Sequence, residues 1–281
     1  MASLRSVVRK KRNGPVKIVI AGVTGWVGQA IFREAIKTPG VEVVAGVSRS
    51  RAGEDMGTAL GLPATGIAIV GTLDEALNLP SDVVIDYTNT EGVRTHAPAV
   101  IRAGRALVIG TSGLDEVELQ ALDALARQHG VGVVAAGNFS ISGTLLKRFA
   151  LEAARYLADV EVVEYASARK QDVPTGTGRE LAEALSALRQ APTTIPLEKL
   201  KGLVGSRGVP IGSGSHAVQL HSVYLPSYVL AVESIHATES ERLVIRHEAG
   251  CSAQPYVAGT LLAARAALTL KGLLRGLESL I

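Results

Sequence analysis

The sequence IVIAGVTGWVG (residues 18–28) contains the features from which the fold is predicted. Its first four residues are apolar and mostly β-branched, as expected for a strand that is buried on both faces. A G-x-x-G-x-x-G turn follows, and residues 29–37 have the apolar spacing of a helix. A strand, a glycine turn and a helix in this order predict a dinucleotide-binding site, although such turns also join strands to helices for structural reasons alone.

Each glycine of the turn has a predicted task. Gly22 allows the tight turn, Gly25 lets backbone N–H groups approach a pyrophosphate, and Gly28 lets the helix pack closely on the strand. The diphosphate of the cofactor would lie at the positive end of the helix dipole. We therefore expect Thr24, Trp26 and Val27 to contact the cofactor together with Gly22 and Gly25.

The end of the second predicted strand (residues 41–47) bears on the choice of cofactor. In NAD-selective proteins an acidic residue near this position binds the ribose 2′-hydroxyl. Here Ser48 and Arg49 follow the strand, and Arg51 is close by. Hydroxyl and guanidinium groups suit a 2′-phosphate, so NADPH is favoured and NADH stays possible. A basic surface loop is the alternative interpretation.

Strands and helices alternate through the rest of the first half. Further strands are predicted at 67–70, 82–87, 106–109 and 131–136, and helices at 73–77, 91–103 and 116–129. This alternation predicts an α/β fold with a doubly wound parallel (Rossmann) sheet. Ligands bind such sheets beyond the carboxyl ends of the strands, where residues 88–90 and 110–113 would lie. Asp86 either orients the first of these loops by accepting N–H bonds or caps the following helix.

The second half has a different pattern. Helices are predicted at 143–158 and 179–188, strands at 160–167, 217–223, 228–236 and 242–248, a mobile loop at 202–216, and a closing helix at 254–274. We expect a second α+β domain with a mostly antiparallel sheet. The predicted domains are a dinucleotide-binding domain (1–139, closed by a C-terminal helix within 253–281) and a substrate and oligomerisation domain (140–252).

Composition limits the possible classes of protein. With 47% hydrophobic and 20% charged residues among 281, the chain is globular, and no apolar run is long enough to cross a bilayer. The net charge is +3, and residues 1–17 are basic without an acidic residue, which favours a solvated tail over a nucleic-acid arm or targeting segment. A single cysteine, Cys251, excludes an internal disulfide and fits the cytoplasm. The histidines lack metal-ligand spacing, so no metal is expected. No nucleic-acid or membrane partner is expected either.

Several segments together resemble the 4-hydroxy-tetrahydrodipicolinate (dihydrodipicolinate) reductase family of lysine biosynthesis. The resemblance extends from about Lys17 to Leu274. The segments that carry it, besides the glycine turn, are Ile85-Asp86-Tyr87-Thr88 with Glu91-Gly92, Val108 to Gly113, Asn138-Phe139-Ser140, and Lys170 to Thr177. The last is similar to the family signature K-x-D-x-P-S-G-T, with Thr175 in place of serine.

The resemblance implies hydride transfer from a nicotinamide to a small cyclic dicarboxylate bound between two domains. It implies that Lys170 supplies positive charge or a proton, and that Thr175, Gly176 and Thr177 donate hydrogen bonds to a substrate carboxylate. The residues implied at the nicotinamide are Gly110, Thr111 and Ser112, with Asn138 and Phe139 at the hinge beside it. The family resemblance also implies a homotetramer assembled through the sheet of the second domain.

The sequence departs from the family pattern on the substrate side. The family has E-x-H-H-x-x-K before its signature, whereas residues 164–170 read EYASARK, with Ala166 and Ser167 at the histidine positions. The family segment R-x-G-D-x-x-G-E-H is replaced by QLHSVYLPS (residues 219–227), which lacks its charges. Trp26 replaces a basic residue that is common in the glycine turn of the family.

Three interpretations fit this pattern. The chain reduces the lysine-pathway substrate with Lys170 and water in place of the lost histidine, or it reduces another, less charged imine or carbonyl compound, or it is a non-catalytic nucleotide-binding regulator. The second is favoured, because the Lys170–Thr177 segment is kept while both proton-handling segments have changed. The catalytic candidates are Lys170, Tyr165 and Ser167, and His216 is a candidate substrate contact. His221, Tyr224 and Tyr228 are further possible proton donors.

Overall fold

The computed structural model describes residues 14–188, 195, 197–212 and 214–281. The basic segment predicted to be a solvated tail lies, apart from residues 14–17, outside these ranges. The strands are β1 (Val16–Ala21), β2 (Val41–Val47), β3 (Ile69–Val70), β4 (Val83–Asp86), β5 (Ala106–Ile109), β6 (Gly132–Ala135), β7 (Asp159–Ser167), β8 (Val209–Ile211), β9 (Val218–Leu225), β10 (Leu230–Ala237), β11 (Arg242–Ala249) and β12 (Gly272–Arg275). The helices are α1 (Trp26–Ala35), α2 (Met56–Ala59), α3 (Leu73–Leu77), α4 (Thr90–Arg102), α5 (Glu116–His129), α6 (Ile141–Ala153), α7 (Gly176–Leu188) and α8 (Gln254–Ala267).

The first half of the chain, together with β12 from its C-terminal end, forms a parallel sheet of seven strands in the order β12-β6-β5-β4-β1-β2-β3. The neighbouring strands pair in parallel. The central strands β4 and β5 are buried along their whole length, because apolar side chains on both faces pack against helices. The predicted doubly wound sheet is confirmed.

The second sheet has five strands in the order β11-β10-β7-β9-β8. Strands β7 and β9 are parallel, whereas the other three pairs are antiparallel. Alternate residues of β7 are buried, and two of them, Val160 and Val162, pack with α6 and α7 in a separate apolar cluster. A mostly antiparallel sheet with helices on one face confirms the predicted α+β class of this half.

The predicted closing helix at 254–274 is wrong at its C-terminal end. Helix α8 ends at Ala267, and Gly272 adopts a φ of +98°, which helical residues do not adopt. The next residues form β12, which pairs in parallel with β6 and completes the edge of the first sheet. The apolar pair Leu273 and Leu274 therefore belongs to a strand with one side chain on each face.

The predicted mobile loop at 202–216 contains a strand. Residues Val209–Ile211 form β8, which pairs in antiparallel register with β9 at the edge of the second sheet. Pro210 has no N–H group and fits an edge strand, where one side of the backbone has no pairing partner. The glycine content of the loop hides this three-residue strand from a sequence pattern.

Candidate functional site

The glycine turn after β1 has the close packing that the sequence predicts. Gly22 has a φ of +79°, and a Cβ atom there would lie 2.6 Å from the carbonyl oxygen of Tyr87. A Cβ atom on Gly28 would lie 2.2 Å from the carbonyl oxygen of Gly22. Helix α1 starts directly after Gly25, three residues earlier than the sequence pattern indicates. Its first N–H groups therefore face the turn, where an anion is stabilised.

A groove of about 710 Å³ runs over the carboxyl ends of β1, β2 and β4, and we call it the outer groove. Gly22, Thr24, Gly25, Ser48 and Arg49 all line it, as expected for residues that contact one ligand. The hydroxyl oxygens of Thr24 and Ser48 lie 2.9 Å apart, which joins the glycine turn to the end of β2.

Arg51 is the exception among the predicted cofactor residues at the end of β2. It does not line the outer groove, and its guanidinium group is 2.9 Å from the Glu54 carboxylate. A short 3₁₀ helix at Arg49–Arg51 separates the two arginines in space. The prediction that Arg51 contacts the cofactor is not supported by this geometry.

Asp86 shapes the loop after β4. It is fully buried, and its Oδ1 accepts hydrogen bonds from the Thr88 N–H (2.9 Å) and hydroxyl (2.6 Å). Its Oδ2 lies 2.7 Å from Nδ1 of His96, which lines the outer groove. Asn89, not Asp86, caps α4. Of the two roles considered for Asp86, orientation of the loop is confirmed. The sequence pattern did not single out His96 as a groove residue, because it lies two turns inside a helix.

A larger cavity of about 1140 Å³, the central cleft, lies between the two sheets. Both halves of the chain and the segment that joins them line it. The lining residues from the first half are Trp26, Val27, Tyr87, Gly110 and Ser112, followed by Gly137, Asn138 and Phe139, and those from the second half are Ser167 to Lys170, Thr175 to Thr177, Pro226, Tyr228 to Leu230 and Tyr256.

One wall of the central cleft is aromatic. The rings of Trp26 and Tyr256 meet edge to face with centroids 6.0 Å apart, and Tyr87 and Phe139 make the same kind of contact. The Tyr87 hydroxyl lies 2.8 Å from that of Thr260. Burial raises the pKa of Tyr87, and that of Tyr256, above the ordinary phenol range. Both phenols are therefore neutral hydrogen-bonding groups rather than proton donors at neutral pH.

The opposite part of the cleft is polar. The ammonium group of Lys170 lies 2.8 Å from the Asp172 carboxylate, and Arg169 is exposed beside it. Helix α7 begins at Gly176, so the N–H groups of Gly176 and Thr177 belong to its first turn. Neither N–H group has a hydrogen-bond partner in the part of the chain that the structure describes. These two donors and the helix dipole form a site suited to a carboxylate.

Thr175 differs from its predicted role as a donor to the ligand. It is 2% exposed, and both its N–H group and its hydroxyl donate to the buried carboxyl group of Glu164. Its carbonyl oxygen accepts the N–H of Arg179 in the first turn of α7. The polar groups of Thr175 are therefore used inside the protein, and Gly176 and Thr177 are left as the donors that face the cleft.

Two other predicted residues lie away from the central cleft. Tyr165 is on the face of β7 opposite Glu164, where its hydroxyl donates to Glu233 (2.8 Å) and the Arg246 guanidinium lies over its ring. Burial and the neighbouring Glu233 raise its pKa, which opposes proton donation. His216 lies in a short 3₁₀ turn before β9, where its carbonyl accepts the Ser186 hydroxyl.

The remaining candidates are distributed between sites. Thr111 lines a smaller cavity of about 230 Å³ on the other side of its loop. His221 lies 2.9 Å from the Glu161 carboxylate, outside the lining of the cleft. The Tyr224 hydroxyl donates to the carbonyl of Asp172 (2.7 Å), whereas Tyr228 does line the cleft. Ala166 is fully buried, and Ser167 reaches the cleft at the end of β7.

The segment between the sheets is tied directly to α7. Asn138 Nδ2 donates to the hydroxyl of Thr177 (3.3 Å), and the Gly137 N–H donates to the carboxyl group of Glu180 (2.9 Å). Burial raises the pKa of Glu180. No motif of the sequence pointed to Glu180, since it is one acidic residue among several on a helix. These contacts fix the polar end of the cleft relative to the first sheet.

Comparison with known proteins identifies the family. The model described as "Dihydrodipicolinate reductase, N-terminus" matches residues 16–139, and that described as "Dihydrodipicolinate reductase, C-terminus" matches residues 143–281. The chain belongs to the dihydrodipicolinate reductase family. As a member of this family it is an NAD(P)H-dependent oxidoreductase with a dinucleotide-binding (Rossmann) fold.

Curated relatives in this family match over nearly their whole length. The 4-hydroxy-tetrahydrodipicolinate reductase of Syntrophomonas wolfei is 32% identical over 94% of this chain and 98% of its own. That of Moorella thermoacetica is 33% identical over 95% and 98%, respectively.

Solved structures give the same fold. A dipicolinate-bound dihydrodipicolinate reductase from Paenisporosarcina sp. TG-14 superposes with a TM-score of 0.77 at 25% identity, covering 95% of this chain and 100% of that one. An amine dehydrogenase from Mycobacterium smegmatis superposes with a TM-score of 0.64 at 15% identity, over 92% of this chain and 94% of that one. The second likeness concerns the fold alone.

Within the described ranges, every helix is too short or too polar to span a bilayer. The same part of the chain holds no cluster of three or more His, Cys, Asp and Glu side chains with the geometry of a metal site.

Proposed function

We propose that this chain is an NADPH-dependent reductase that adds hydride to the carbon of a C=N bond in a substrate with one carboxylate and an otherwise apolar body. The central cleft supports this proposal by itself. Its polar end offers Lys170 and the N–H groups of Gly176 and Thr177, while Trp26 and Tyr256 form an aromatic wall. Such a cavity suits a ligand that is charged at one end and apolar over the rest of its surface.

The outer groove fits the dinucleotide. The close packing of Gly28 on Gly22 brings the start of α1 against the end of β1, and Gly22, Thr24 and Gly25 line the groove where a diphosphate would lie. Ser48 and Arg49 would hold a 2′-phosphate, and Gly110 and Ser112 would border the nicotinamide in the central cleft. The bound cofactor supplies the hydride. NADH remains the alternative, with the ribose hydroxyl in the place of the phosphate.

The protein then handles charge and the proton. As the C=N carbon receives the hydride, its nitrogen gains an electron pair and takes up one proton. Lys170 lies where its ammonium group stabilises this charge or supplies the proton. Ser167 and Tyr228 also line the cleft, and their hydroxyl groups would be candidates to relay a proton from water. Ala166 has no group that could donate a proton, and the hydroxyl of Tyr165 is used in its hydrogen bond to Glu233.

The lysine-pathway substrate is the second candidate. The identity of about a third to curated 4-hydroxy-tetrahydrodipicolinate reductases favours it, as does the exposed Arg169, which offers a second cation at the cleft. The loss of the two histidines and of the charged segment at 219–227 opposes it. The open cleft does not favour the third interpretation, a non-catalytic nucleotide-binding regulator.

The absorbance of NADPH tests the proposal directly. We would compare 4-hydroxy-tetrahydrodipicolinate with monocarboxylate cyclic imines such as 1-piperideine-2-carboxylate, and with 1-piperideine as the control that lacks the carboxylate. The proposal expects the highest kcat/KM with a monocarboxylate imine. Turnover of the dicarboxylate alone favours the second candidate, and binding of NADPH without turnover of any compound contradicts a reductase.

We also propose a homo-oligomer formed through the open face of the second sheet. Val244 on β11 lies on the face of the sheet opposite the helices and is 52% exposed, which is unusual for an apolar residue in a strand of a monomer. Light scattering after gel filtration tests this, since a monomeric mass at micromolar concentration contradicts it. The replacement Val244→Glu should then dissociate the assembly.

A further inference from the structure

The carboxyl group of Glu164 joins three segments of the second half. Glu164 is fully buried on β7, opposite Ser222 of β9 in the parallel register. Its oxygens accept the Thr175 N–H (3.0 Å), the Thr175 hydroxyl (2.6 Å) and the Ser222 hydroxyl (2.6 Å). The Tyr224 hydroxyl makes a longer contact of 3.5 Å. A buried carboxyl group with this many donors is held in a single position.

This arrangement determines which groups face the cleft. Thr175 directs both of its donors to Glu164, and its hydroxyl oxygen accepts the N–H of Gly178, whereas Gly176 and Thr177 line the cleft. Gly178 packs directly on the same carboxyl group, since a Cβ atom there would lie 2.2 Å from Oε2 of Glu164. The first turn of α7 is therefore built on Glu164.

We infer that Glu164 is a positioning residue for the substrate carboxylate, acting through Thr175 on the N–H groups of Gly176 and Thr177. The inference rests on the proposed function, because it assigns the carboxylate to that end of the cleft. Ser222 and Tyr224 hold Glu164 from the other side. Both residues belong to β9, the neighbouring strand of the second sheet.

The chain offers a matched control on the same strand. Glu161 lies three residues earlier on the opposite face of β7, where its carboxylate contacts His221 (2.9 Å) and Arg207. Replacement of either glutamate by glutamine removes a hydrogen-bonded carboxylate from β7. Only Glu164→Gln disturbs the start of α7.

The first measurement is the affinity for pyridine-2-carboxylate, determined by calorimetry on protein saturated with NADP⁺. The loss of hydrogen bonds to a charged group lowers the binding affinity by about 10- to 100-fold. We expect Glu164→Gln and Thr175→Val to weaken binding by this factor and to raise KM more than they lower kcat. Thr175→Ser, which keeps the hydroxyl, and Glu161→Gln should bind within about 3-fold of the wild type, and the affinity for NADP⁺ should be unchanged in all variants.

The second measurement needs no ligand. Hydrogen exchange followed by mass spectrometry should show faster exchange in residues 170–178 of Glu164→Gln, with unchanged exchange in the glycine turn at 22–28. Unchanged affinity together with unchanged exchange overturns the inference. If the wild type binds no carboxylate while exchange at 170–178 rises in the variant, the proposed function fails and Glu164 still positions the loop. Ser222→Ala, which removes one donor near the surface, replaces Glu164→Gln if that variant does not fold, with the same changes expected at smaller size.

Discussion

The ammonium group of Lys170, which lines the central cleft, lies 2.8 Å from the carboxylate of Asp172, and the two side chains are 34% and 46% exposed. A pair this exposed is held weakly, because solvent screens the attraction and both side chains lose entropy in forming it. The Lys170 ammonium can therefore exchange Asp172 for a substrate anion at little cost.

Replacement of Lys170 by alanine should lower kcat/KM for any reduced substrate by about 100-fold or more, the range found when one group that stabilises developing charge is removed. The assay is NADPH oxidation at saturating cofactor. Arg169→Ala is the control, since Arg169 is a neighbouring cation without an assigned role in proton transfer to a monocarboxylate imine. Equal losses in both variants would show that only the overall positive charge of the cleft matters.

Replacement of Arg49 by alanine should lower the affinity for NADPH by about 10-fold or more and leave the affinity for NADH nearly unchanged. The reason is that the guanidinium group pairs with the 2′-phosphate, which NADH lacks. Arg51→Ala is the matched control: it removes the same charge two residues away, where the side chain pairs with Glu54 and does not line the outer groove. Calorimetric titration with both cofactors gives the four affinities. If Arg51→Ala selectively weakens NADPH instead, the assignment of the outer groove is wrong.

Trp26 is the only tryptophan of the chain, and it lines the central cleft. Indole emission overlaps the absorption of a reduced nicotinamide, so binding of NADPH should quench the fluorescence of Trp26 strongly by energy transfer. Oxidised NADP⁺ has no such absorption and should quench it far less. A titration that shows equal quenching by both forms would place the nicotinamide away from this cleft, whatever the outcome of the activity assays.

The sequence predicted the parts of the fold that local patterns control. The apolar runs at 18–21 and 83–85 predict strands that are buried on both faces, as in a parallel sheet covered by helices. Strand β8 was missed because it has only three residues within a glycine-rich segment. Strand β12 was missed because it forms only by parallel pairing with β6, which is far away in the sequence. Gly272 in particular reads as a loop residue until its place beside β6 is known.

The site was predicted in the same uneven way. Residues on the turns after β1 and β2 lie where the motif indicates, with Arg51 as the exception. The role of Tyr165 depends on the face of β7 to which it points, and that of Thr175 on the face of β7 against which it packs. A resemblance between sequences does not contain that information. Tyr165 lies on the face opposite Glu164, and Thr175 turns inward to it. Pairing across the second sheet, rather than any motif, determines both outcomes.

His236 links the pH to the stability of the second sheet. It is fully buried on β10, its Nε2 lies 3.1 Å from the Ser234 hydroxyl, and burial lowers its pKa to about 4. The unfolded chain has an ordinary histidine pKa of about 6.5 and therefore binds the proton more readily than the folded one. The contribution of neutral His236 to the stability of the folded state is complete above pH 6.5. It is lost as the pH falls towards 4, which lowers the free energy of unfolding by about 3 kcal/mol.

Replacement of His236 by glutamine, which stays neutral, should remove this part of the acid sensitivity. Urea unfolding of the wild type and the variant at pH 7 and pH 4.5 gives the two differences to compare, and the loss on acidification should be smaller in the variant by up to about 3 kcal/mol. His247, whose pKa burial also lowers, contributes equally to both proteins and cancels in the comparison. His129→Gln, at the exposed end of α5, should change neither value. Parallel losses in wild type and His236→Gln would mean that the histidine of β10 is protonated without unfolding the sheet, and that acid acts elsewhere in the fold.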